Sequence, residues 1–189
     1  MGSRIQNLHP REYNGVHYRS TLEMDTAKVL TVLNIPFEYE QQRFLLLEGL
    51  KCSYQKDAVR PVHYTPDFII DNSIIIECKG FETPEWKLKK KLVFRYLIDK
   101  RPDLIFYQTK DAKGSLLSCL DNHWKQLGYG IRCISKPTRK FSSLTYNFDS
   151  IAQAMEKLGL EGKSTGSIVK ALTGEKAYVY GYQWILRKL

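Results

Sequence analysis

The sequence predicts an α/β fold, a mixed sheet with helices on its faces plus a small C-terminal helix-turn-helix-like module. Three observations carry that expectation. Short apolar runs of strand character alternate with helix-length segments between Ser20 and Ile134. Two of those segments open on capping signatures, Ser20-Thr21-Leu22-Glu23 and Thr83-Pro84-Glu85. Residues 148–189 then change character, to two short capped helical stretches and an aromatic tail.

Taken in order, residues 1–17 are polar and without periodicity, and read as a flexible arm. The S-x-x-E box at Ser20 starts a helix whose apolar face is Leu22, Ala27, Leu30 and Leu33, and Asn34-Ile35-Pro36 ends it. Phe37–Glu40 and Arg43–Leu47 read as strands, and 48–61 as a hairpin extension or an irregular excursion. Val62–Ile70 and Ser73–Cys78 read as two strands of an antiparallel hairpin, with the turn formers Asp71 and Asn72 between them. Thr83 caps a helix that runs to about Asp99, with Pro84 at its first position. Leu104–Gln108 is a strand, Leu116–Leu127 a helix and Ile131–Ile134 a strand. After a linker, Asp149 or Ser150 caps a helix carrying Ile151, Ala154, Met155 and Leu158, closed by Gly159. Ser164 caps a second, carrying Ile168, Ala171 and Leu172 and stopped by Gly174, and Tyr178–Leu186 is strand-like.

Composition narrows the class of partner. Lys and Arg total 29 against 20 acidic residues, a formal charge of +9 over 189 residues, which favours a polyanion because neutralised phosphates release their counterions. Cys52, Cys78, Cys119 and Cys133 show no CxxC spacing, so neither a zinc site nor a disulfide framework is expected. No apolar run approaches the roughly 20 residues that cross a bilayer, and the start is too polar for a secretory signal. A reduced, cytoplasmic protein without a membrane partner is expected.

The chemistry is concentrated at Pro66-Asp67, nine residues, then Glu77-Cys78-Lys79. Side chains alternate along a strand, so Glu77 and Lys79 share a face while Cys78 points away. A turn near Asp71–Ser73 brings Asp67 across the ladder to Glu77, so that two carboxylates and an ammonium converge. Phosphodiester hydrolysis needs such a set. Magnesium takes oxygen ligands, and Asp67, Glu77 and the Cys78 carbonyl supply them, with manganese as the alternative ion. Lys79 can position the attacking water or stabilise charge on the phosphorane oxygens. Glu23 has two readings that do not exclude each other, the reciprocal partner of its capping box or a third acid binding a second metal or its water shell. The bland reading of the rest is a turn-capping Asp67 and a surface Glu77–Lys79 pair. Against that reading, Ile74-Ile75-Ile76 marks the strand as interior, where an unpaired glutamate is costly.

Tyr18-Arg19-Ser20-Thr21-Leu22-Glu23, Phe37-Glu38-Tyr39-Glu40, Tyr64-Thr65-Pro66-Asp67-Phe68 and Glu77-Cys78-Lys79-Gly80 fall in the order and rough spacing of phage-type endonuclease I. Residues 16–134 resemble that family of PD-(D/E)XK Holliday-junction resolvases. The resemblance implies a restriction-endonuclease-like core over 18–134, with Glu23, Asp67, Glu77 and Lys79 as the catalytic set. It also implies a homodimer with two sites cutting opposed strands, and a phage-encoded enzyme working in the host cytoplasm. The chain departs from the family pattern in a longer segment between Leu47 and Val62 and in its appended tail.

That tail, 148–189 after a linker at 135–147, resembles the modular DNA-binding motif appended to homing endonucleases. The likeness rests on Phe148–Ala154, Ser167-Ile168, Ala171–Gly174 and Gly181–Trp184. It implies that the helix after Ser164 enters the major groove, with Lys163, Ser164, Thr165 and Lys170 meeting DNA. Lys87, Lys90 and Lys91 directly follow the motif on the second helix and are candidates for phosphate contact, although helices commonly carry lysines simply as a solvated face. The expected function is a metal-dependent DNA endonuclease, site-directed through its tail. The alternatives are a resolvase cutting branched DNA by shape, or a DNA-binding protein that is catalytically silent or works only with a partner.

Overall fold

A computed structural model describes residues 11–51, 53–54 and 57–189. The fold is α/β, as the alternation of elements predicts. The strands are β1 (Arg11–Tyr13), β2 (Val16–Tyr18), β3 (Phe37–Tyr39), β4 (Phe44–Leu47), β5 (Val62–Tyr64) and β6 (Phe68–Ile70). They continue as β7 (Ile74–Cys78), β8 (Ile105–Thr109), β9 (Tyr129–Ser135), β10 (Thr145–Phe148) and β11 (Tyr182–Lys188). The helices are α1 (Thr21–Val32), α2 (Pro84–Lys100), α3 (Gly114–Leu120), α4 (Ile151–Lys157) and α5 (Thr165–Leu172). They form two compact units, one of Pro36–Gln108 and one that joins the described residues up to Ile35 to Thr109–Leu189.

The unit of Pro36–Gln108 is built on a mixed sheet of order β3-β6-β7-β8. β6 and β7 pair antiparallel with Phe68 opposite Ile76 and Ile70 opposite Ile74. Their turn places Asp71 and Asn72 both at φ 50, the left-handed backbone that short polar side chains tolerate and tight hairpins require. All five residues of β7 are buried, so this is an interior strand. The strand expected from Val62 to Ile70 is instead two. Val62–Tyr64 pairs with β4, and Phe68–Ile70 pairs with β3 and β7. The break falls at Pro66, which has no N–H to give a ladder. Beyond β4 the hairpin continues through a bridge between Leu50 and Val59, which favours the hairpin reading of 48–61; Cys52, Gln55 and Lys56 lie outside the described residues.

α2 begins where the sequence places it, with the Thr83 hydroxyl accepting the Trp86 N–H at 3.1 Å. Its inner face brings Trp86, Val93 and Leu97 onto Phe44, Tyr64, Ile69 and Ile75. Fully burying a side chain such as Val93 is worth roughly 1.5–3 kcal/mol, so this face fixes α2 beside the strands that carry the motif.

In the other unit, the part of the expected arm that is described, Arg11–Tyr18, forms a hairpin of β1 and β2. Asn14-Gly15 at φ 50 and 74 makes its turn, the strongest short hairpin signal a sequence carries. Met1–Pro10 lie outside the described residues. Of the expected apolar face, Ala27 and Leu30 of α1 and Leu33 at its C-cap are buried, while Leu22 is half-buried. The helix expected from Leu116 to Leu127 is shorter, ending at Leu120 and followed by a 3-10 turn at Asp121–His123.

Two findings revise the expected linker at 135–147. Its last residues are part of β10, which pairs with β9, and β11 pairs with the other side of β9 from Tyr129 to Ser135. The tail therefore shares a sheet with the strand that precedes it, and Trp184 is buried at 2% exposure. The two tail helices form over the expected stretches, α4 with its N-terminus capped by Ser150 and closed by Gly159 at φ 65, α5 with Ser164 at its N-cap position but making no side-chain capping bond. Asp121 adds to that cap: its carboxylate accepts the N–H groups of Ile151 and Ala152 at 2.6 and 2.8 Å, and the Trp124 indole N–H at 2.9 Å.

Cys78, Cys119 and Cys133 are buried. Burial pushes the Cys119 thiol up to about 11 and the Cys133 thiol up to about 12. A thiol whose folded pKa is raised keeps its stabilising proton below the ordinary value near 9, and that contribution is lost as pH climbs toward 11 and 12. Iodoacetamide at pH 8 is expected to leave both unmodified in the native protein and to label both in denaturant; mass spectrometry of native digests checks this, and rapid native labelling contradicts the burial.

Candidate active site

The motif converges at one end of the β6–β7 hairpin. Continuing the register by one pair beyond Phe68 and Ile76 sets Asp67 opposite Glu77, and by two sets Pro66 opposite Cys78. Pro66 has no N–H to give to the Cys78 carbonyl across the ladder. The Cys78 N–H is taken by the Asp67 carboxylate, at 2.7 Å from Oδ2. That bond holds the Asp67 side chain against the end of β7. In an extended residue N–H and C=O point to the same edge, so the Cys78 carbonyl faces the side on which Asp67 lies.

Glu77 is buried at 2% exposure and Asp67 at 7%. A buried carboxylate is tolerated only when its oxygens are matched. The Lys79 ammonium lies 2.9 Å from Glu77 Oε1, and the Tyr64 hydroxyl donates to Oε2 at 2.8 Å. Burial, and after it the charge of Glu77, push the Tyr64 phenol well above its ordinary value, so Tyr64 remains a donor at neutral pH. Lys79 has its ammonium 5.1 Å from the centre of the Trp86 ring, over its face. Neither Tyr64 nor Trp86 carries a role in the sequence reading. Tyr64 sits inside a quoted motif without a chemical assignment, and nothing local marks Trp86.

Glu23 belongs to the other compact unit. Its carboxylate accepts the Ser20 hydroxyl at 2.8 Å and the Arg19 N–H at 3.1 Å, while Ser20 Oγ accepts the Glu23 N–H at 3.2 Å. The capping reading of this residue is thus realised, with the backbone bond going to Arg19 rather than to Ser20. Among the described residues no group of three or more His, Cys, Asp or Glu side chains is placed to hold a metal. A cation at the hairpin end would draw on the Asp67 and Glu77 carboxylates and the Cys78 carbonyl, with water completing the shell. That all-oxygen donor set with two carboxylates fits magnesium.

A family model described as phage endonuclease I matches residues 6–121. The chain belongs to that family. Membership makes it an endonuclease whose substrate is DNA. The matched span contains Glu23, Asp67, Glu77 and Lys79 and stops short of the tail. No curated protein and no solved structure matches the chain. Among the described residues no helix is long and apolar enough to cross a membrane.

The remaining candidates separate by exposure. Lys87 and Lys91 are exposed on α2. Lys90 is turned onto its own unit, donating to Glu82 Oε1 and Gln108 Oε1 at 2.9 Å each. In the tail, Lys163 and Ser164 are exposed at the start of α5, whereas Thr165 and Lys170 are half-buried. A Cβ built on Gly114 would stand 3.4 Å from the Thr165 hydroxyl. That oxygen therefore faces the first residue of α3.

Proposed function

We propose that the chain is a magnesium-dependent DNA endonuclease of the PD-(D/E)XK kind, directed to its site by its C-terminal module. The observation that supports it most is the convergence of two buried carboxylates and the Lys79 ammonium at the hairpin end, in a chain of an endonuclease family. In this reading Asp67 and Glu77 bind the cation, with the Cys78 carbonyl as a further ligand and manganese able to replace magnesium. The bound ion offsets phosphate charge and lowers the pKa of water. Lys79 orients the attacking water or stabilises charge on the phosphorane oxygens. Glu23 enters as the third acid through the family resemblance alone. Lys163 and Ser164, at the exposed start of α5, are the foremost candidates for reading DNA, with Thr165 and Lys170 behind them. Lys87 and Lys91 serve phosphate contact, whereas the Lys90 ammonium is engaged by Glu82 and Gln108.

A second reading has its own observation. The family match covers the part of the chain before the tail, which favours a junction resolvase, a homodimer that cuts opposed strands of branched DNA by shape. Incubation with magnesium and either a four-way junction or a mixed duplex library, beside Asp67→Ala, tests both. Cuts that require magnesium and Asp67 are the expected result, and the preferred substrate decides between the readings. DNA that is bound yet uncut in both cases sinks the catalytic assignment and leaves a binding or partner-dependent role.

A further inference from the structure

Glu77 and Lys79 are held from outside their own strand by two aromatic residues. Tyr64, at the end of β5, and Trp86, in the first turn of α2, lie with ring centres 6.1 Å apart. One gives its hydroxyl to Glu77 and the other places its face beneath Lys79. The Trp86 indole N–H is fixed in turn by Gln108 Oε1 at 3.2 Å, an oxygen that also takes Lys90.

Core packing accounts for the two rings, since Tyr64 is 1% and Trp86 8% exposed. It does not account for where the polar atoms go. A buried phenol needs an acceptor, and a main-chain carbonyl would satisfy it without touching the motif. Here the acceptor is the carboxylate whose orientation matters most. A glutamate held by one oxygen can still swing about its long side chain; holding the second fixes the plane of the carboxylate. Lysine has a flexible four-carbon stem and three rotating donors, and an aromatic face beneath the ammonium narrows its range.

We propose that Tyr64 and Trp86 are positioning residues of the nuclease site, Tyr64 for the Glu77 carboxylate and Trp86 for the Lys79 ammonium. The inference rests on the metal-dependent reading above and deepens it. Tyr64→Phe removes the hydroxyl and keeps the ring. The full chain carrying it is titrated with Mn2+, free ion being read by its paramagnetic resonance, beside wild type and Asp67→Ala. Groups that orient a metal's ligands are worth about 10–100-fold in affinity, so Tyr64→Phe is expected to bind Mn2+ at least about 10-fold more weakly while still melting cooperatively. Wild-type affinity in Tyr64→Phe, with affinity lost in Asp67→Ala, overturns the role of Tyr64 alone. Wild-type affinity in both variants sinks the metal-site reading itself. For Trp86, cleavage of one DNA substrate is followed in Trp86→Leu and Trp86→Phe. A fall in kcat with KM unchanged in the leucine variant, largely recovered by phenylalanine, is the expected split. Equal losses in both variants, or a loss confined to KM, overturn the role of Trp86.

Discussion

Replacing Glu77 by glutamine lowers DNA cleavage by about 100- to 1,000-fold or more, at least the scale seen when one preorganised polar group is removed from a transition-state site, while the protein stays folded. The substitution keeps the shape of the side chain and removes its charge. Glu77 is almost wholly buried, and its two oxygens are matched by Lys79 and Tyr64. Lys79 is about one-third exposed, so losing its carboxylate returns it to water rather than stranding it. The Tyr64 hydroxyl can still donate to the amide oxygen. Replacing one member of a buried ion pair usually costs several kcal/mol because it leaves a charge uncompensated; here that penalty is small, since the remaining charge can reach solvent. Activity and stability therefore part company at this position, as they do where a site holds charges for chemistry rather than for folding. Cleavage rates and thermal melts on the same preparation measure both. A variant that cuts within tenfold of wild type removes Glu77 from the catalytic set.

Local chemistry made much of this legible in advance. Ser20 and Thr83 start helices because a hydroxyl before an apolar run satisfies a backbone N–H that nothing else reaches. Asp71 and Asn72 turn the hairpin because they tolerate positive φ. Gly159 closes α4 for a related reason. The misses have two causes. Some signals were present and outweighed: Asn14-Gly15 is a hairpin turn inside a segment read as an arm, and Pro66 breaks a run whose apolar residues otherwise continue from Val62 to Ile70. Others were not local at all. Thr145–Phe148 carries two aromatics and two polar residues and becomes a strand because β9 offers an edge. Tyr64 and Trp86 are distant in sequence from the residues they hold, by 13 positions in the case of Tyr64 and Glu77. Nothing short of the folded arrangement assigns them.

Removing residues 141–189 is expected to unfold the unit that contains β9 rather than merely to weaken DNA binding. β9 is flanked by β10 on one side and by β11 on the other, so truncation strips both neighbours from a strand in which Ile131 and Cys133 have no exposure. It also removes Ile151, Ala154, Ile168, Val169, Val179 and Trp184 from the core. The larger of these are worth roughly 2 kcal/mol each. Together they match the roughly 5–15 kcal/mol by which an ordinary domain is stable. The Asp121 carboxylate would lose the two α4 N–H groups it caps, and both edges of β9 would be open to pairing with other chains. Circular dichroism and gel filtration of the truncated chain measure the outcome; a monomer with a cooperative melt near that of wild type sets this expectation aside. The tail's proposed part in choosing DNA is thus better probed by substitution at an exposed position than by deletion. Lys163→Ser leaves the sheet and the caps untouched, so any change in substrate preference it produces belongs to the surface of α5 and not to the fold beneath it.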